Sequence, residues 1–234
     1  MTITKEKTVA EIVASHMGSD FVFSKYKIDF CCGGGATMST ASEESGVTFE
    51  DLKNEIEAIT ANISGKVDLN KMNLKTLVKK IKNEYFNFFD ENLKVLIPLA
   101  SKVAEVHGQS HSELIDINIL VRGAGFVLSE MVENSKTKLI PFMEKYGDFE
   151  SKLSDIQLHE FEKIIHTNEV SQKLLDDSFK EIKKLSSGYE ISTDACNSYK
   201  LLYEKIQEFD HQFHKYVHLE RNLLIPKVLK KYHN

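Results

Sequence analysis

Tryptophan is absent from the 234 residues, and proline and cysteine each occur three times. So few prolines, alongside eleven glycines, leave long uninterrupted segments rich in Lys, Glu, Leu and Ile, which predicts helix throughout. Three cysteines, Cys31, Cys32 and Cys196, are too few and too odd in number to build a disulfide framework in a chain of this length. They read as reactive or structural thiols of a reducing compartment, so a cytoplasmic location is expected. A surplus of basic charge is lacking too: the net charge is −5 with both signs interleaved, which gives no field to draw nucleic acid. No stretch approaches the roughly 20 apolar residues of a membrane span, and the opening MTITKEKTVAEIV lacks the basic start and apolar run of an export signal. Neither a membrane nor a nucleic acid is an expected partner. What is present is 41% apolar residues, enough for the core of one large domain or of a medium domain plus a small one.

The hydrophobic pattern divides the chain. Short helices around a glycine turn are expected over 1–64, the second pattern beginning near TFEDLKNEIEAI with Thr48 as cap and Asp51 in the first turn. Turn residues without periodicity mark 65–73 as a linker. Residues 74–234 carry four long amphipathic patterns, about 72–106, 111–135, 153–187 and 194–231, joined by modest loops. The expected fold is all-α: a small helical N-terminal domain followed by an antiparallel four-helix bundle.

At about 100° per residue, Leu202, Ile206, Phe209, Phe213, Tyr216, Glu220 and Leu223 share one face of the last helix, which therefore faces the core. Glu220 is the acid on that stripe, and an acid there requires a partner, a metal or a proton. His211, His214 and His218 fall on the opposite side and read as a solvated surface cluster, with a subunit or interdomain contact as the functional alternative.

The stretch KIDFCCGGGATM sets Cys31 and Cys32 before Gly33, Gly34 and Gly35. Glycines permit close backbone approach, and a thiol near exposed amides has a lowered pKa and raised reactivity. The pair is either a redox, nitrosation or metal-handling site, or one buried thiol beside one exposed bystander. Adjacent cysteines rarely form a relaxed mutual disulfide, so exchange with a partner or a metal is favoured. Cys196, in TDACNSY, reads as a small apolar residue at a helix start.

Taken together, IDFCCGG, KVAEVHG at 102–108, DACNSY at 194–199 and HLERNLLIP at 218–226 resemble the iron-sulfur cluster repair family, also called RIC or ScdA-type proteins. The resemblance implies that 1–64 is the ScdA-type N-terminal domain, with Cys31 and Cys32 as its functional residues in redox, iron or nitric oxide handling. It implies that 74–234 is a hemerythrin-like bundle built around a di-iron centre held by histidines and carboxylates. It further implies damaged iron-sulfur proteins as clients under nitrosative or oxidative stress, and pairing into a homodimer or with a paralogue.

The ligands carry over poorly. The family's first-helix histidine falls on Phe86, its second-helix His and Glu on Met131 and Ser135, its third-helix histidine on Gln172, and its fourth-helix His and Glu on Tyr216 and Glu220. Glu220 is the matching ligand and Tyr216 a weak phenolate candidate, which together do not hold two irons. The expectation is therefore a degraded centre, with Glu220 hydrogen-bonded to Tyr216, Gln172 or a water. The function expected from the resemblance is cluster repair through Cys31 and Cys32, and the rival is a metal-free regulatory relative that pairs with an intact paralogue.

Overall fold

The computed structural model describes residues 2–62, 68–146 and 153–229. It is all-α, and among the described residues extended pairing is limited to one antiparallel bridge between Thr8 and Thr37. The chain forms two compact units: one runs from the N-terminus to Ile81 and takes in the residues from His214 onward, the other spans Lys82–Phe213. Of the expected linker, residues 65–67 lie outside the described residues, and 68–73 contain a 3-10 turn, Leu69–Lys71, capped by Asp68.

In the first unit, α1 (Val9–Ser15) starts at a capping box in which the Thr8 hydroxyl accepts from Glu11 N–H and the Glu11 carboxylate accepts from Thr8 N–H. After α2 (Ser19–Lys25) the chain makes the cysteine turn and enters α3 (Met38–Ser45) behind a Thr37 cap. The expected Thr48 cap is present at α4 (Phe49–Asn62), where its hydroxyl accepts from Asp51 N–H at 3.2 Å. Val9, Ile12, Val22, Phe23, Met38, Leu52 and Ile56 are buried and form the core of these helices. Helix α5 (Leu74–Lys80) packs on the C-terminal segment Leu219–Leu224, and Lys227 Nζ donates to the Asn70 carbonyl at 2.9 Å.

The second unit contains α6 (Asn87–His107), α7 (Glu113–Asn134), α8 (Ile140–Tyr146), α9 (Asp155–Leu185) and most of α10 (Asn197–His218). Helix α7 packs on both α6 and α9. Gly125 permits the α6–α7 approach, since a Cβ there would meet Ile97 Cδ1 at 2.9 Å. Phe89 and Phe209 stack with centroids 5.6 Å apart, and Phe179 lies 5.6 Å from Phe213.

Among the described residues, three helices contain a widened π turn: Ile81–Phe86 between α5 and α6, Ser135–Leu139 between α7 and α8, and Leu219–Leu224 between α10 and α11 (Ile225–Leu229). The last two precede Pro141 and Pro226, each the second residue of the helix that follows. A proline ring clashes with the carbonyl four residues back and supplies no N–H, and the wider turn relieves both problems without ending the helix. This is why the second helix, expected to stop near 135, continues to Tyr146. Among the described residues no helix is long and apolar enough to cross a membrane.

Candidate functional site

The cysteine turn is organised by Asp29, a residue the sequence reading passed over. Its Oδ1 accepts from the backbone N–H of Cys31 and of Cys32, both at 2.9 Å, and closes the chain into a tight loop. Gly34 completes the loop because a Cβ there would sit 2.6 Å from the Phe30 carbonyl and 3.0 Å from Ala10 Cβ. The Gly34 carbonyl in turn accepts from Ala10 N–H at 2.9 Å, which ties the loop to the first turn of α1.

Two side chains of the C-terminal helix hold the same loop from behind. His218 Nδ1–H donates to the Phe30 carbonyl at 3.1 Å, and Asn222 Nδ2 donates to the Cys31 carbonyl at 2.9 Å. The Phe30 ring lies 6.3 Å from that of His218 and 6.4 Å from that of His214. The surface reading of the three histidines is thus corrected: His211 and His214 are half-buried, and His218 is fully buried. The angular count set His218 correctly opposite the core stripe, but that opposite side is itself covered by Phe30 and the cysteine turn. Burial pushes the His218 imidazole down to about 4, against the opposing pull of the Phe30 carbonyl and the Asp20 charge. Its Nε2 is buried without a hydrogen-bond partner.

Cys31 is buried and Cys32 exposed. The Cys31 thiol has two acceptors within reach, Asp29 Oδ1 at 3.3 Å and Cys32 Sγ at 3.6 Å. The hydrogen bond to Cys32, burial and the Asp29 charge all push the Cys31 thiol well above the ordinary range. A lowered pKa was expected from the neighbouring amides. It does not arise at Cys31, because Asp29 has already claimed the N–H groups of Cys31 and Cys32. One carboxylate oxygen and both sulfurs lie within 4.8 Å of one another, a spacing that one soft or borderline metal ion can bridge.

Comparison with known proteins bears on this turn and on the rest of the chain. Residues 5–60 match the ScdA_N domain, described as a domain of unknown function (DUF542). The iron-sulfur cluster repair protein ScdA of Staphylococcus haemolyticus is 31% identical over 232 residues, covering 96% of this chain and 99% of the relative. The chain belongs to the ScdA-type iron-sulfur cluster repair family. A probable iron-sulfur cluster repair protein of Haemophilus influenzae is 27% identical across 99% of the chain. The repair protein YtfE of Yersinia pseudotuberculosis is 26% identical across 89%.

Family membership directs attention to the six positions where di-iron ligands were sought. Phe86, Met131, Ser135 and Gln172, in the second unit, are all buried, as are Tyr216 and Glu220 in the first. Asn168 Nδ2 donates to Ser135 Oγ at 2.9 Å, and Asn134 Nδ2 donates to Asn168 Oδ1 at 2.7 Å. Lys136 places its ammonium 5.8 Å over the Phe86 ring. The Tyr216 hydroxyl donates to Glu220 Oε2, one of the partners expected for that acid. Of these six side chains, the Glu220 carboxylate and the Tyr216 phenol are of types that bind iron. Phe86, Ser135 and Glu220 nevertheless each lie in one of the three π turns, a helical distortion that gathers at functional sites.

One further constellation escaped the sequence reading. Cys196 is exposed, not packed as a small apolar residue, and His107 Nε2 lies 3.1 Å from its sulfur. His107 ends α6 and Cys196 immediately precedes α10, 89 residues apart in sequence, so no local pattern announces the pair.

Proposed function

We propose that the chain repairs damaged iron-sulfur clusters, with iron or a cluster fragment handled as cargo by Asp29, Cys31 and Cys32. The observation that carries this reading is the convergence of one carboxylate oxygen and two sulfurs within 4.8 Å of one another, in a loop anchored by Asn222 and His218. Cys32, at the surface, meets the cargo first. Cys31, holding its proton against Asp29 and Cys32, joins when the arriving positive charge displaces that proton. The names of the relatives support damaged iron-sulfur proteins as the clients. In this reading the bundle carries no di-iron centre of its own, because its donor positions hold aromatic, thioether and amide groups. Glu220 is kept as the hydrogen-bonded partner of Tyr216.

The test is recovery of a purified iron-sulfur hydratase inactivated by nitric oxide. The Cys31→Ser/Cys32→Ser variant should lose recovery activity while keeping the helical circular dichroism of the wild type. Wild-type recovery by that variant would remove the cysteine turn from the mechanism. The replaced donor positions also favour a second reading, a regulatory relative that works beside an intact paralogue. Metal analysis of untagged protein bears on both readings, since two irons per chain would overturn the metal-free bundle.

A further inference from the structure

We propose that Cys196 and His107 form a second reactive thiol site, separate in chemistry from the cysteine turn, that takes up low-molecular-weight disulfides by thiol–disulfide exchange. Cys196 sits at the N-terminus of α10, where the backbone N–H groups of Tyr199 and Ser198 point at its sulfur, and His107 Nε2 lies 3.1 Å away. Both arrangements favour the thiolate over the thiol, and together they bring Cys196 down to about 7.

The surroundings keep this pair intact. The Tyr199 ring lies 5.5 Å from His107 and 5.7 Å from His111, a wall against which both imidazoles rest. Asp194 and Glu113 are the acids facing this corner. Asp194 lies 3.0 Å from His111 Nε2, and Glu113 lies 3.4 Å from His111 Nδ1. His111 is held toward its cationic form, first by its hydrogen bond to Asp194. The negative charge of both acids is thereby answered by His111, leaving His107 to the thiol. Cys31 differs on each count: it is buried and faces an unneutralised Asp29.

The chemistry balances within the pair and its reagent. The Cys196 proton passes to His107 Nε2, and the thiolate attacks one sulfur of R–S–S–R. A Cys196–S–S–R bond forms as the original disulfide breaks, and the leaving thiolate takes the proton back from the His107 imidazolium. Cys196 is oxidised to a mixed disulfide, and one half of the reagent is reduced to RSH.

The experiment uses the whole chain and 5,5′-dithiobis(2-nitrobenzoic acid), with peptide mapping to assign the modified cysteine. Modification at Cys196 should rise with pH through a midpoint near 7. His107→Asn should move that midpoint upward by about one pH unit and slow modification several-fold at pH 6.5. A wild-type midpoint in the ordinary range of a free cysteine would overturn the proposal, whether or not the variant folds. In a folded His107→Asn protein, an unchanged profile would remove His107 from it.

Discussion

Cys31 and Cys196 are the same side chain in opposite surroundings. Cys31 is buried in a loop whose Cys31 and Cys32 amides have been spent on Asp29, and its proton is shared between that carboxylate and a second sulfur. Cys196 stands at an exposed helix start whose amides remain available, with an imidazole in place of the carboxylate. The first thiol is pushed up and the second down. What separates them is the neighbouring group, burial, and the allocation of the nearest N–H donors. Proximity to amides and glycines predicts nothing until that allocation is known.

Alkylation tests the contrast most directly and carries the largest expected effect. With iodoacetamide at pH 7 and mass spectrometric mapping, Cys196 should react about a thousandfold faster than Cys31. Comparable rates would erase the comparison. Acid addresses what keeps Cys31 buried. His218 is neutral in the fold with a value of about 4, below the ordinary 6.5. The unfolded chain therefore binds the extra proton between these limits, so this contribution to stability is complete above pH 6.5 and is lost as pH falls toward 4. The loss amounts to roughly 3 kcal/mol, and His218→Gln should flatten it in urea titrations across that range. An unaltered pH slope would show that His218 is not the group responsible. The smallest effect is steric. Gly34→Ala places a methyl against the Phe30 carbonyl and should cost about 1–3 kcal/mol, whereas Gly35→Ala, with nothing within 4 Å, should change stability by less than about 0.5 kcal/mol. Equal melting curves for the two would mean that the loop relaxes freely.

Helical periodicity made the all-α fold legible, along with the buried Tyr216 and Glu220 and the Thr48 cap, because each is a local property of a few turns of chain. The cysteine motif was legible as a site, but its electrostatics were not. Asp29 precedes Cys31 by two residues, and an aspartate at that offset is a turn signal that could have been read. His218 was misplaced because a helical wheel assigns one buried face, and this helix end has two. The Cys196–His107 pair depends on residues brought together only by the tertiary fold. Pro141 and Pro226 end neither helix, because the widened turns before them carry the helices through.

Those widened turns have a consequence for how such a chain can change over generations. Each holds one residue more than the regular helix needs, so beyond it every side chain is rotated by about 100° from its undistorted position. Loss of a single codon in an ordinary helix turns the rest of its buried face outward. Loss of one within Leu219–Leu224 would instead restore regular helix while swinging Pro226 and the rest of α11 to a new bearing. The three turns are therefore places where length variation and side-chain direction are coupled, and where related chains can drift out of register while every helix remains a helix.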